Sequence, residues 1–201
     1  ERGQMIVHGG RWRAADSGNY TLHEDLWAFD LATNEWTELP SEDGPRARVA
    51  HSMVVSGDQL IVYGGNSTSA ATSYVPMADV WAYDLNDNVW SRLDDDAPAG
   101  NRHFQATAIS DDGAKMFVYG GGDERAYYGP FFGDLWAYRV ESGTWSQLHD
   151  GTGDAPQARI MPSLIYDGAD NRLILWSGHD DSSLGNTNQV WSFDLSTYTW
   201  S

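Results

Sequence analysis

The chain has 201 residues, 41% hydrophobic and 20% charged, a globular composition with room for one sizeable domain or two small ones. Its net charge of −17 repels phosphate backbones and anionic lipids, so we expect neither nucleic acid nor a membrane as partner. No apolar run approaches the roughly 18 residues of a membrane-spanning helix. Cysteine is absent, which excludes disulfides, thiolate metal sites and cysteine nucleophiles. The acidity and the single lysine favour an extracellular or periplasmic setting.

An apolar run that ends in small residues occurs four times along the chain. Its copies are residues 5–10, 61–65, 117–121 and 174–178, and the first small residue recurs at steps of 55, 56 and 57. Each run lacks polar alternation, as expected of a strand that is covered on both faces. The glycines that end it permit positive φ and close backbone approach.

A second, aromatic block follows each of these runs. Its copies are residues 25–30, 79–84, 134–139 and 189–194, and a further tryptophan lies nine residues after the tryptophan of each block. The segments 30–34 and 84–88 between them have the composition of hairpin turns. Another strand precedes each apolar run, as in residues 50–55, which are joined to the next strand by a turn at 56–58. Each repeat therefore contains four antiparallel strands, the number in a propeller blade.

These motifs resemble the kelch repeat, a blade of about 50 residues, and place the chain near the galactose oxidase-like central domain superfamily. The resemblance implies an all-β, kelch-type β-propeller with about four four-stranded antiparallel blades. One region, 1–201, would hold blades at about 1–41, 46–94, 101–149 and 158–201. The first blade would lack its first strand. Kelch rings usually contain more blades than four, so we expect further blades or another chain to complete a larger ring.

The long loops between the second and third strands hold the residues that the repeat does not explain. All four loops should emerge on one face, where aromatic and arginine side chains suit a protein, a peptide or a glycan. The candidate ligand-binding residues are Arg11, Trp12, Arg13, Tyr20, His23, Tyr74, Arg125, Tyr127, Tyr128, Phe131, Phe132, His179 and Asp180. For Phe131 and Phe132, packing as a lid over neighbouring blades is an equal alternative.

Three arginines, Arg48, Arg102 and Arg159, recur at steps of 54 and 57. The kelch resemblance implies that they lie near the central channel, where such arginines contact acidic peptides in some kelch domains. Their presence in successive blades favours a different interpretation, in which they are hydrogen-bonded parts of the framework.

We interpret the chain as a binding module that uses its long-loop face. The alternatives are a structural assembly unit and a carbohydrate enzyme resembling the kelch-type mutarotases, for which His51 and His103 would be candidates. The radical chemistry of galactose oxidase needs a Tyr–Cys crosslink and is excluded. Residues 23–25 and 179–181 combine histidine with acidic groups, but their spacing matches no known metal site. We therefore predict no catalytic residue, no metal and no cofactor.

Overall fold

The computed structural model describes residues 3–180 and 185–201. Blade 1 has three strands, β1 (Gln4–Trp12), β2 (Thr21–Asp30) and β3 (Trp36–Leu39). Blade 2 has four, β4 (Ser52–Ser56), β5 (Gln59–Tyr63), β6 (Val80–Asp84) and β7 (Val89–Asp94). Blade 3 consists of β8 (Ala106–Ile109), β9 (Lys115–Tyr119), β10 (Leu135–Arg139) and β11 (Thr144–His149), with a 3₁₀ turn (Ala126–Tyr128) before β10.

The chain continues with β12 (Arg159–Ile160), β13 (Ser163–Asp167), β14 (Arg172–Trp176), β15 (His179–Asp180), β16 (Gly185–Asn186), β17 (Val190–Asp194) and β18 (Thr199–Trp200). Blade 4 is the sheet β13-β14-β17-β18. The remaining strands form a small sheet in the order β12-β15-β16, which the sequence did not predict. The predicted all-β fold of antiparallel blades is confirmed. The described residues form no closed ring, and no helix among them has the length and apolar character of a membrane span.

The turns between third and fourth strands are fixed by an aspartate in three blades. Oδ1 of Asp30 accepts backbone N–H bonds from the residues two and three positions later, at 2.8 and 2.9 Å. Asp84 and Asp194 do the same, each at 2.7 and 3.0 Å. These bonds explain why the predicted hairpin turns form where they do. Blade 3 has Arg139 at this position, at the end of β10.

Each pair of consecutive blades encloses one hydrophobic core, which gives three cores within residues 3–180 and 185–201. A ring on the second strand of one blade packs against the fourth-strand tryptophan of the next. The ring pairs are His8–Trp90, Tyr63–Trp145 and Tyr119–Trp200, with centroids 5.3, 5.2 and 5.6 Å apart.

The outward faces of the two end blades leave apolar side chains in solvent. Trp36 on blade 1 is 51% exposed and Val190 on blade 4 is 69% exposed. Stacked blades would normally cover such faces. That further blades or another chain cover them stays a prediction.

Gly64 shows why a small residue ends each second strand. Its φ is +69°, and a Cβ there would lie 2.7 Å from the carbonyl oxygen of Arg102 in the next blade. Gly57, in the β4–β5 turn, has a similar φ of +59° but open space around its Cβ position.

We expect Gly64→Ala to lower the free energy of unfolding by about 1–3 kcal/mol more than Gly57→Ala, because only the former adds overpacking to backbone strain. Urea unfolding of the two variants measures this difference. Equal losses of unfolding free energy would show that only the backbone conformation requires glycine at position 64. The neighbouring blade would then move away from the added methyl group without a loss of stability.

Candidate functional site

The repeated arginines are buried within the blades, where they form hydrogen bonds with aspartate side chains and backbone carbonyls. Arg48 is fully buried and forms two hydrogen bonds, of 2.9 and 2.8 Å, with the carboxylate of Asp79. Arg102 pairs in the same way with Asp134, at 2.9 and 3.1 Å. Each also donates to a carbonyl at the second-strand glycines, Gly64 at 2.9 Å and Gly120 at 3.0 Å. Burial raises the pKa of Asp79, but the hydrogen bonds and charge of Arg48 outweigh this and hold it below its ordinary value.

Blade 4 uses a neutral partner in the same place. Arg159 is fully buried and donates to Oε1 of Gln189 at 3.1 Å, where the other blades have aspartate. It also donates to the carbonyl oxygens of Gln157 and Ser177, at 2.8 and 3.1 Å. The interpretation of these arginines as hydrogen-bonded framework groups is therefore confirmed.

Two histidines meet at the interface of blades 1 and 2. His8 Nδ1 lies 3.2 Å from His51 Nε2, and His8 is 5% exposed. Burial and the charge of Arg48 lower the pKa of His8 to about 4. Burial, His8 and Arg48 lower the pKa of His51 to about 3. Both rings are therefore neutral at neutral pH.

His103, the other histidine considered for catalysis, is also a buried group. It is fully buried, and its Nε2 lies 2.9 Å from the backbone oxygen of Asp123. Burial lowers its pKa. His51 thus contacts His8, whereas His103 contacts Asp123 and Tyr74.

The hairpin of blade 1 extends further than the sequence predicted. Residues 10–12 pair with residues 21–23, so Trp12 belongs to β1 and His23 to β2 rather than to a loop. Side chains alternate across a strand, which places Arg11 and Arg13 on one side of the hairpin and Trp12 on the other. Trp12 and Arg11 therefore lie on opposite sides of the hairpin. Trp12 is 61% exposed on the side that it shares with His23.

Both arginines of this hairpin lie against one tyrosine. The guanidinium carbon of Arg11 is 4.1 Å from the ring centroid of Tyr20, and that of Arg13 is 4.9 Å from it. These are cation–π distances. The Tyr20 N–H donates to the carbonyl of Ser69 at 2.8 Å, which ties the hairpin to the long loop of blade 2.

Aromatic rings continue from this point across blades 2 and 3. Tyr74 lies 5.0 Å from His103 and 6.4 Å from Tyr127, and Tyr127 lies 5.5 Å from Phe104. Burial and the neighbouring Tyr74 and Tyr20 raise the pKa of Tyr127, and the charge of Arg11 opposes this rise. The blade 1 hairpin and the blade 2 loop are joined by the hydrogen bond of Tyr20 to Ser69. We call the combined surface the loop patch. Its members are Arg11, Arg13, Tyr20, Tyr74, Phe104 and Tyr127.

Phe104 is not among the residues predicted from the sequence, although the repeat carries a signal for it. The second position after each framework arginine has positive φ and holds Ala50, Phe104 or Met161. Only blade 3 places an aromatic ring there. Comparison of the aligned positions would have singled it out.

The other predicted residues are not members of the loop patch. Tyr128 is 87% exposed, and Arg125 forms an ion pair with Asp123. Phe131 is buried with its ring 5.8 Å from His179, and the Phe132 ring lies 4.5 Å from the Arg102 guanidinium. The positions of Phe131 and Phe132 fit the alternative in which these two rings pack as a lid over neighbouring blades.

Asp180, in β15, is buried and aligned with Arg159 of β12. Asp181, part of the acidic segment considered for a metal, lies outside the described residues. Within residues 3–180 and 185–201, no group of three histidine, aspartate or glutamate side chains could hold a metal ion.

Antiparallel blades with second-strand glycines, an aromatic third strand and a spaced fourth-strand tryptophan define a kelch-repeat β-propeller domain. Residues 1–151 match the KLHDC2/KLHL20/DRC7 Kelch-repeats domain, and the chain belongs to this family. The predicted kelch resemblance is thereby confirmed. Kelch-repeat domains are typically protein-interaction modules.

Three curated relatives illustrate the range of proteins that contain such repeats. The chain is 25% identical to the dynein alpha chain of the flagellar outer arm of Chlamydomonas reinhardtii, over 98% of this chain and 4% of that protein. It is 27% identical to mouse (Mus musculus) kelch domain-containing protein 1, over 96% and 46% of the two chains. It is 26% identical to human (Homo sapiens) kelch domain-containing protein 10, over 92% and 40%. The chain thus spans less than half the length of each.

Proposed function

We propose that this chain binds a protein partner on its long-loop face, and that the loop patch recognises an acidic segment of that partner with apolar or aromatic neighbours. Kelch-repeat domains typically act as protein-interaction modules. The finer proposal rests on the charge, the exposure and the rigidity of the patch.

The charge comes from Arg11 and Arg13. Neither forms an ion pair with a carboxylate of the described residues. Stacking of both guanidinium groups on Tyr20 leaves their N–H edges available, and the fork of N–H donors matches a carboxylate. In a chain of net charge −17, two adjacent arginines with no acidic partner in the described part of the chain are the observation that carries this proposal.

The exposed aromatic surface lies beside these charges. Tyr127 is 40% exposed, and the neighbouring Tyr128 is 87% exposed. Exposed tyrosines next to arginine are typical of the residues that contribute most of the energy in protein interfaces.

Rigidity follows from the bonds that hold the loops. Tyr20 is bonded to blade 2 through Ser69, and Asn66 Oδ1 accepts the backbone N–H of Val75 at 2.7 Å within the blade 2 loop. A surface that is already ordered loses less conformational entropy when it binds.

Charge reversal at Arg11 tests the proposal. Peptides are selected from a random library displayed on phage against the wild-type chain, and their affinities are then measured for Arg11→Glu and Arg92→Glu. Arg92 is a matched control, because its replacement changes the charge equally, but Arg92 lies on β7 and forms an exposed pair with Asp95. We expect acidic peptides to be enriched and Arg11→Glu to weaken their binding at least about tenfold, with Arg92→Glu changing it less than about twofold.

Enrichment of peptides without acidic residues, or equal loss in both variants, would contradict the proposal. Selective retention of oligosaccharides on a glycan array, abolished by Arg11→Glu, would replace the protein partner with a glycan.

A further inference from the structure

A cleft opens between blades 3 and 4 at the end of the strands opposite to the loop patch. It is formed by the β8–β9 turn and residues of β9, β10 and β11 in blade 3, and by the β13–β14 and β17–β18 turns of blade 4. Its volume is about 360 Å³, and its lining includes Lys115, Arg139, Tyr166, Leu195 and Tyr198. This volume suits a small molecule.

Two positive side chains lie opposite each other at the mouth of this cleft. Lys115 of β9 and Arg139 of β10 are direct cross-strand partners. The equivalent pairs in the other blades are Gln4↔Asp30, Gln59↔Asp84 and Arg172↔Asp194. Like charges directly opposite in a sheet are destabilising. Blade 3 therefore departs from the repeat in a direction that costs stability.

Arg139 also removes the turn-capping aspartate that the other three blades retain. Among the described residues, neither Lys115 nor Arg139 forms an ion pair with a carboxylate. Asp111 and Asp112 also line the cleft, and the hydrogen bond of Ser110 and, to a smaller extent, the charge of Lys115 lower the pKa of Asp112. The nearby Asp112 instead accepts bonds from the Ser110 hydroxyl and the Ala114 N–H, at 2.5 and 3.0 Å. Lys115 is, moreover, the only lysine of the chain.

The cleft combines aromatic and apolar side chains with polar ones, which include Ser110, Ser146 and Asn171. Phe117 and Tyr166 stack across the two blades, with centroids 5.8 Å apart and planes at 16°. Ala137, Leu148 and Leu195 extend this surface. Tyr198 remains 52% exposed beside it. Such a cleft can hold a flat apolar group with a negative group at its mouth.

We propose that this cleft binds a small organic anion, with its oxyanion group between Lys115 and Arg139 and its flat apolar body against Tyr166 and Tyr198. Carboxylates and phosphate monoesters share this chemistry. The site lies at the opposite end of the strands from the loop patch and is independent of the function proposed for that patch.

The test uses benzoate, phenyl phosphate, inorganic phosphate and the neutral benzyl alcohol, titrated by calorimetry into the wild-type chain and four variants. Lys115→Gln and Arg139→Asp each install the residue that blades 1 and 2 carry at that position, so both should fold. Arg92→Glu matches the charge change of Arg139→Asp, and Arg11→Glu reports on the loop patch.

We expect benzoate or phenyl phosphate to bind at least about tenfold more tightly than benzyl alcohol. We expect Lys115→Gln and Arg139→Asp each to weaken that binding by about tenfold or more, without lowering the Tm. Arg11→Glu and Arg92→Glu should leave it unchanged. Tighter binding of benzoate than of phenyl phosphate would indicate a carboxylate ligand, and the reverse a phosphate monoester.

The proposal would be overturned by an absence of saturable binding of either aromatic anion, by equal binding of benzyl alcohol, or by anion binding that Arg139→Asp leaves unaltered. Binding of inorganic phosphate as tight as that of phenyl phosphate would also overturn it, because the apolar body would then contribute nothing.

Discussion

Asp134→Ala is expected to lower the free energy of unfolding by about 3–5 kcal/mol, one of the largest effects available in this chain. The side chain accepts two bonds from Arg102 and one from the indole N–H of Trp136, at 2.6 Å. Its removal leaves a guanidinium that is only 1% exposed without its counterion. A buried charge without a partner is the costly state.

Asp134→Gln provides the matched comparison, since blade 4 has Gln189 at the equivalent position. There the amide oxygen accepts from Arg159 at 3.1 Å and from Trp191 at 3.4 Å. We expect Asp134→Gln to lower the free energy of unfolding by less than half as much as Asp134→Ala does. Asp95→Ala, which breaks only an exposed pair with Arg92, should change stability by less than about 1 kcal/mol. Urea unfolding at neutral pH measures all three. A loss for Asp134→Ala as small as that for Asp95→Ala would contradict the framework role.

The second large effect is a loss of stability in mild acid, caused by His8 and His51. Both have folded-state pKa values, about 4 and about 3, below the unfolded value of 6.5. Their neutral forms fit the folded chain, while the unfolded chain takes up protons as the pH falls. The part of the stability that depends on neutral His8 and His51 is therefore fully present above about pH 6.5 and is lost as the pH falls toward 4. We expect about 3–5 kcal/mol to disappear between about pH 7 and pH 4.5.

The variant His8→Tyr/His51→Gln should flatten this dependence. It copies the next interface, where Tyr63 donates to the Gly100 carbonyl at 2.5 Å and Gln105 donates to the Tyr63 carbonyl at 3.0 Å. Urea unfolding across this pH range compares it with the wild type. Carboxylates such as Asp79 do not confuse the result, since they gain protons mainly below this window. A wild-type chain that loses no more stability than the double variant would show that the histidine pair is not the acid-labile element.

The blades could be predicted because the sequence repeats the local rules that form them. Gly64 and Gly120 mark strand ends where positive φ and close approach coincide. Asp30 and Asp84 mark the turns that they hydrogen-bond. Each feature depends on residues of one blade or on the adjoining blade in a fixed register. The spacing of these residues in the sequence is therefore enough to predict the blades.

The site could be predicted only in part, because it depends on contacts between loops of different blades. Trp12 and Arg11 are neighbours in sequence, yet the extended pairing of β1 with β2 places them on opposite sides. The contact of His8 with His51 and that of Tyr127 with Phe104 each join separate blades. By contrast, Arg139 was visible as a break in an otherwise regular column of aspartates. Departures from a repeat are thus a second sequence signal for candidate sites, beside loop composition.

Amide hydrogen exchange on the complex with a selected acidic peptide tests the central claim most directly. The account predicts slower exchange in residues 11–20, 67–75 and 123–128, which carry or support the loop patch, and unchanged exchange in residues 110–115 and 139–144 at the opposite end of the blades. Arg11→Glu should abolish this protection and Arg92→Glu should preserve it. Protection confined to residues 110–115 and 139–144, or protection that survives Arg11→Glu, would contradict binding at the loop patch.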